Sequence, residues 1–130
     1  MIELRIDSHS GLPAYLQIVQ QVKHALRLGL LVPGDQMPTI RELVGSLAIN
    51  PNTVLKAYRE LEMEGLIAGR PGQGTFVLEA LPGASQHDLA EMRASLERWI
   101  SRAKELGMDE ESIVALFDTT MQKRRVEAVA

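Results

Sequence analysis

Asn50-Pro51-Asn52-Thr53-Val54-Leu55-Lys56-Ala57-Tyr58-Arg59-Glu60-Leu61-Glu62-Met63-Glu64-Gly65 is the stretch on which the fold turns. Asn50 is a good N-cap, and Pro51 suits the first helical position, where a backbone N–H would have no partner. Val54, Ala57, Tyr58 and Leu61 recur at three and four residues, so at about 100° per residue they share one side of a helix. Asn52, Thr53, Lys56 and Arg59 fall on the other side or its flanks. Gly65 closes the helix. One face is built to dock on a core, while the other presents amide, hydroxyl and cationic groups. Taken alone, such a helix is as readily a solvated surface helix as a binding one.

Working outward, Thr39 and Glu42 have capping-box spacing at the head of a short helix. Its stripe is Ile40, Leu43, Val44 and Leu47, and it ends near Ala48. Before it, Pro13 suits a first helical turn, and Tyr15, Ile18, Val19, Val22 and Leu26 follow at helical spacing up to a stop at Gly29. Residues 30–36, with Pro33 and Gly34, form a connection. Ile2, Leu4 and Ile6 alternate with polar residues, which predicts a short half-buried strand. Downstream, 66–68 and 75–78 read as two strands around Gly69-Arg70-Pro71-Gly72-Gln73-Gly74, a glycine-rich hairpin loop. Three helices followed by strand, loop and strand make a winged helix.

Residues 80–86 contain Pro82, Gly83 and Ser85 and read as a linker. Beyond it, Leu89, Met92, Leu96, Trp99, Ile100 and Ala103 repeat at three and four until Gly107. Asp109 caps a last helix carrying Ile113, Leu116, Phe117 and Met121, with Lys123, Arg124 and Arg125 expected at its cation-favouring end. The expected fold is mainly α with a small β-hairpin wing: a winged helix-turn-helix over 1–79, a linker over 80–86, and a two-helix region over 87–130.

Composition limits what such a chain can do. Hydrophobic residues make up 45% and charged residues 24%, a globular balance that excludes disorder. No apolar run approaches the roughly 20 residues of a spanning helix, so no membrane partner is expected. The first ten residues show no apolar core of a signal peptide, and cysteine is absent, which fits a reducing cytoplasm. The net charge of -3 opposes general nucleic-acid affinity, so any such binding must come from local cations.

Those cations have suitable company. Asn52 can pair with an adenine edge, and Thr53 can bond to a base or touch a thymine methyl. Lys56 and Arg59 can neutralise phosphates. Arg70, beside Gly72 and Gly74, places a cation where the backbone can approach a phosphate closely. Arg41 could reach one from the start of the second helix. Glu60, Glu62 and Glu64 lie toward the other end of the third helix, away from the end that enters a groove. Each feature separately has a bland reading, as a tight turn or a solvated charge.

Their combination resembles the GntR family of bacterial regulators. The resemblance is carried by Pro13-Ala14-Tyr15-Leu16-Gln17-Ile18, Pro33-Gly34-Asp35, Pro38-Thr39-Ile40-Arg41-Glu42-Leu43 and Asn50-Pro51-Asn52-Thr53-Val54. It continues in order through Ala57-Tyr58-Arg59-Glu60-Leu61-Glu62, Glu64-Gly65-Leu66-Ile67 and Gly72-Gln73-Gly74-Thr75-Phe76-Val77, covering about 11–78. Thr39 stands where the family often has serine and keeps the capping hydroxyl. The resemblance implies DNA contacts from Arg41, Asn52 and Thr53, a phosphate contact from Lys56, and a wing of Arg70, Gly72, Gly74 and Thr75 that meets the minor groove or backbone. Asn50 and Pro51 are then structural.

The residues after the wing are too few for the large effector domain, or the aminotransferase-like domain, of other branches. Ala103-Lys104-Glu105-Leu106-Gly107, with Glu111 and Ile113, is similar to the YtrA-type branch. Two amphipathic helices cannot cover both apolar faces. Leu89, Met92, Leu96, Trp99, Ile100, Ile113, Leu116, Phe117 and Met121 therefore need a partner surface; a fold back onto the winged helix would supply one, but the resemblance implies a homodimer, which is the expectation. A twofold dimer matches a palindromic operator.

Catalytic residues, metal ligands and cofactors are all expected to be none. His87 and Glu91 are one turn apart but lack a third ligand, and His9 and His24 have no evident partners. Met92, Met108 and Met121 could line a pocket, although methionines at this spacing are usually core. The function expected is a cytoplasmic, sequence-specific transcription regulator on double-stranded DNA. Through the resemblance it is a dimeric repressor of a transporter operon, with room for a small-molecule effector of unspecified identity. The rival is a winged helix that binds protein instead; Arg41, Asn52, Lys56 and Arg70 all being present favours DNA.

Overall fold

The computed structural model describes residues 2–129; Met1 and Ala130, the outer bounds of the two expected domains, lie outside the described residues. The chain divides into two compact units, Met1–Gln86 and His87–Ala130.

The first unit contains α1 (Ala14–Arg27), α2 (Ile40–Leu47), α3 (Pro51–Met63), β1 (Ile67–Arg70) and β2 (Gly74–Val77). α3 packs against α1, α2 and β1. Its face of Val54, Ala57, Tyr58 and Leu61 is buried, together with Ile18, Val22 and Leu26 of α1, Leu43 of α2, and Met37, Ile67 and Val77. Each fully buried side chain of this size contributes about 1.5–3 kcal/mol by leaving water, so the periodic stripes supply most of what holds the three helices.

Local chemistry sets the helix ends. The Thr39 hydroxyl accepts from the Glu42 N–H at 3.0 Å. The Asn50 side chain accepts from the Asn52 N–H at 2.8 Å, with Pro51 directly after it. Pro13 stands one position outside α1, as its cap residue. Ala48 ends α2 in the left-handed region with φ 53°, a conformation that a Cβ disfavours.

The hairpin pairs Ile67 with Val77 and Arg70 with Gly74, antiparallel. The strands therefore run closer to the turn than the expected 66–68 and 75–78. The turn is tight enough to allow this: the Gln73 N–H donates to the Arg70 carbonyl at 2.9 Å, while Gly72 and Gly74 have φ of 73° and 124°. Residues 35–37 lie along the other edge of β2. The Val77 N–H donates to the Asp35 carbonyl at 2.8 Å, and the Met37 N–H to the Thr75 carbonyl at 2.7 Å.

Residues 2–6 are not the expected strand. Leu4 is buried, and Ile2 and Ile6 pack on the core, so the alternation correctly marks the inward side. The backbone, however, is held by side chains of α1. Gln21 accepts from the Arg5 N–H at 2.9 Å and donates to the Arg5 carbonyl at 2.6 Å. Gln17 accepts from the Asp7 N–H at 2.8 Å and donates to the carbonyls of Asp7 and Leu12. Alternation reports which side faces inward, not what satisfies the backbone.

In the stretch expected as a linker, Leu81 packs on the core. A Cβ on Gly83 would collide with the Arg27 carbonyl. Gln86 donates to the Leu28 carbonyl at 3.1 Å and is the first residue of α4 (Gln86–Glu105).

In the second unit, α4 is followed by α5 (Glu110–Val129). Asp109 caps α5 by accepting from the Ser112 N–H at 2.8 Å, and hydrogen bonding from Ser112 holds this exposed carboxyl below its usual range. α5 runs on to Val129, so Lys123, Arg124 and Arg125 lie within it rather than in its last turn, and the dipole argument for them fails.

Candidate nucleic-acid interface

The third helix presents its polar residues as a stripe. Asn52, Lys56 and Arg59 are exposed, four and then three residues apart, on the side opposite the buried face. Thr53 lies at the flank, half-buried. The cap at Thr39 begins α2 one residue before the exposed Arg41, which therefore belongs to its first turn. Two caps, each made by a side chain in its own turn, thus set where Arg41 and Asn52 leave the backbone.

Lys56 reaches toward α1, its Nζ lying 4.0 Å from the centre of the Tyr15 ring. Nearer the far end of α3, Glu64 forms an ion pair with Lys23 at 2.8 Å. Part of the acidity of this helix is thereby neutralised within the unit. The buried Tyr58 hydroxyl donates to the Pro38 carbonyl; burial first, and then the nearby Glu42 charge, push its pKa up.

On the wing, Arg70 and Gly72 are exposed, and Gly74 and Thr75 are half-buried. The Arg70 guanidinium lies 4.7 Å from the centre of the Phe76 ring. Gln36 donates to the Gln73 carbonyl at 3.3 Å, bracing the turn from the α1–α2 connection. Gly74 has φ 124°, a conformation that a Cβ disfavours, and a Cβ there would also stand 2.8 Å from that Gln36 amide nitrogen, which would have to shift.

Sequence reasoning singled out neither Tyr15 nor Phe76 as site residues, nor Gln36. Phe76 had a usable signal, because residues diagonal across a hairpin are neighbours once the register is known. Tyr15 had none, since its meeting with Lys56 depends on how α1 packs on α3.

In the second unit, Ile113 and Ala103 are buried, so Ile113 already has cover within its own chain. Met92, Leu96, Trp99, Leu116, Phe117 and Met121 are exposed, and Leu89 and Ile100 half-buried. Leu96, Trp99, Leu116, Phe117, Thr120 and Met121 line an open, mostly apolar groove of about 300 Å³. His87 and Glu91 pair with each other at 3.5 Å. Among the described residues no three potential metal ligands cluster, and no helix is long and apolar enough to cross a membrane.

Comparison with known proteins gives a consistent set of likenesses. Residues 14–77 match the description "Bacterial regulatory proteins, gntR family". The chain is 47% identical over 76 residues to the HTH-type transcriptional repressor YtrA of Bacillus subtilis (strain 168), a span covering 58% of each protein. The structure of YtrA from Sulfolobus acidocaldarius, a GntR-family transcription factor, is similar over 94% of this chain and 97% of its own, with 31% identity and a TM-score of 0.52. AraR(DBD), solved in complex with operator ORX1, matches 58% of this chain and 95% of its own, with 28% identity and a TM-score of 0.51.

Proposed function

This chain belongs to the gntR family of bacterial regulatory proteins, and on that premise we propose that it is a dimeric, sequence-specific DNA-binding repressor acting on a palindromic operator. The observation that carries the reading is the stripe of Asn52, Lys56 and Arg59 on the side of α3 opposite its buried face, with further exposed cations at Arg41 in the first turn of α2 and Arg70 at the end of β1. Asn52 and Thr53 read base edges in the major groove, while Arg41, Lys56 and Arg59 bind the backbone. Arg70, with Gly72, Gly74 and Thr75, brings the wing to the adjacent backbone or minor groove. The operator-bound AraR domain supports DNA as the partner of this fold.

The second unit is the dimerisation element in this reading, with residues 1–79 as the DNA-binding domain. Support comes from the exposed Leu96, Trp99, Leu116, Phe117 and Met121, which leave an apolar groove uncovered in the single chain. A second copy covering it gives the twofold symmetry that a palindrome requires. The setting is the cytoplasm, and the target we put first is a transporter operon, on the likeness to the YtrA type alone.

A fluorescence-anisotropy titration against the DNA upstream of its own gene, with a scrambled duplex as control, tests this. Saturable binding, far tighter to the native sequence and weakened steeply by salt, supports a local regulator. Equal weak binding to both, insensitive to Asn52→Ala, overturns sequence-specific readout by α3.

A further inference from the structure

We propose that Tyr15 and Phe76 are positioning residues for DNA binding, each holding one cation, Lys56 or Arg70, on its ring face for delivery to a phosphate. This rests on the DNA-binding reading above and deepens it. Lys56 Nζ is 4.0 Å from the Tyr15 ring centre and the Arg70 guanidinium 4.7 Å from that of Phe76, both within the roughly 6 Å over which a ring quadrupole attracts a cation.

The kind of partner matters. Lys23 spends its charge on Glu64 at 2.8 Å. Lys56 and Arg70 instead rest on neutral rings, which restrain the side chain while leaving its positive charge available. Lysine and arginine carry more rotamer entropy than nearly any other side chain, and free chains lose it on meeting a phosphate. A ring that restrains them beforehand lowers that loss.

Both rings are themselves held. Tyr15 lies in the first turn of α1, half-buried and packed against the core. Phe76 lies in β2, whose other edge is bridged at Gln36. The register explains how Arg70 reaches it. Arg70 faces Gly74, and Ala68 faces Phe76, so Arg70 and Phe76 are diagonal neighbours on one side of the hairpin. Gly74, lacking a side chain, leaves the path across clear.

The test is a double-mutant cycle read as affinity for a mixed-sequence duplex of roughly 30 base pairs, about three helical turns. Tyr15→Leu keeps apolar bulk against the core but removes the aromatic face, and Tyr15→Phe keeps the face. The expected results are a roughly two- to fivefold loss for Tyr15→Leu and near-native affinity for Tyr15→Phe. In a Lys56→Met background, Tyr15→Leu should cause no further loss. Phe76→Leu and Phe76→Tyr are expected to behave likewise against Arg70→Met. A merely structural role predicts the same loss in both backgrounds, and that result overturns the proposal. If Lys56→Met weakens binding but Tyr15→Leu does not, the aromatic seat fails while the DNA reading stands. If Lys56→Met and Arg70→Met both bind as wild type, the DNA reading of these cations fails, and the seats with it.

Discussion

The buried Tyr58 hydroxyl donates its proton to the carbonyl oxygen of Pro38, tying the middle of α3 to the residue before the cap of α2. Tyr58 thus serves both the core stripe and the angle between the two helices. Tyr58→Phe should lower stability by about 1–3 kcal/mol, because the buried Pro38 carbonyl loses its donor. The phenol pKa is raised in the folded state by burial and by Glu42. Folding then favours the protonated form, and the stability linked to it is complete below the unfolded value near 10 and lost as pH rises beyond it. Chemical denaturation from neutral to strongly alkaline pH should show wild type losing stability more steeply than Tyr58→Phe above that point.

Arg41→Ala and Lys56→Ala should weaken DNA binding without changing the thermal midpoint appreciably, since both side chains are exposed. Each should lower the slope of log affinity against log salt by about one. Asn52→Ala should instead leave the slope unchanged and cost roughly 1–3 kcal/mol of discrimination at one base pair. Anisotropy titrations at several salt concentrations separate the two behaviours. Unchanged affinity in all three variants contradicts the assigned roles.

Trp99 is the single tryptophan of the chain and lines the apolar groove of the second unit. Dilution of a dimer should therefore red-shift its fluorescence as the ring returns to water. Trp99→Glu together with Phe117→Glu should produce a monomer by sedimentation and reduce operator affinity. A truncated DNA-binding unit used as a monomeric control should end after Gln86 rather than after Leu78, because Leu81 packs on the core. A full-length protein that sediments as a monomer at high concentration contradicts the dimer.

Ala48 holds a left-handed conformation, φ 53°, at the end of α2. Ala48→Gly should stabilise the fold by up to about 1 kcal/mol, relief of the Cβ penalty outweighing the added freedom of the unfolded chain. Thermal denaturation checks the sign.

Asp109 caps α5 with a carboxyl whose pKa is lowered by hydrogen bonding from Ser112. A depressed carboxylate contributes above its unfolded pKa, and the contribution fades as pH falls through the folded value. Helical circular dichroism should accordingly fall in acid, and Asp109→Asn, which still accepts a hydrogen bond, should flatten that part of the profile.

Much of the winged helix was legible because its signals are local. Thr39 and Asn50 cap with their own side chains, and three- and four-residue spacing fixes which side of α3 is buried. Where a feature depends on distant partners, reading along the chain fell short. The Ile2, Leu4, Ile6 alternation suggested a strand, but the partner is a pair of glutamines from α1. The wing strands shifted toward the turn because backbone hydrogen bonding sets strand limits, while hydrophobicity marks only the inward residues. α5 continues past Lys123, Arg124 and Arg125 to Val129 because nothing there breaks a helix, and a cluster of cations marks a helix end only weakly. Spacing alone puts Asn52, Lys56 and Arg59 on the exposed side of α3, as the structure has them, but the aromatic company of Lys56 and Arg70 appears only once helix packing and hairpin register are known.

The glutamine clasp on residues 5 and 7 has a consequence for tolerance to change. Gln21 holds Arg5 through its main-chain N–H and carbonyl, and Gln17 holds Asp7 in the same way. These contacts use only main-chain groups of position 5, so substitutions there other than proline, which has no N–H to give, should leave the clasp intact. The identity of the anchoring glutamines is another matter: replacing either removes an amide that gives and takes a hydrogen bond at once. The arm's attachment is therefore written in α1, ten and sixteen residues from the positions it secures.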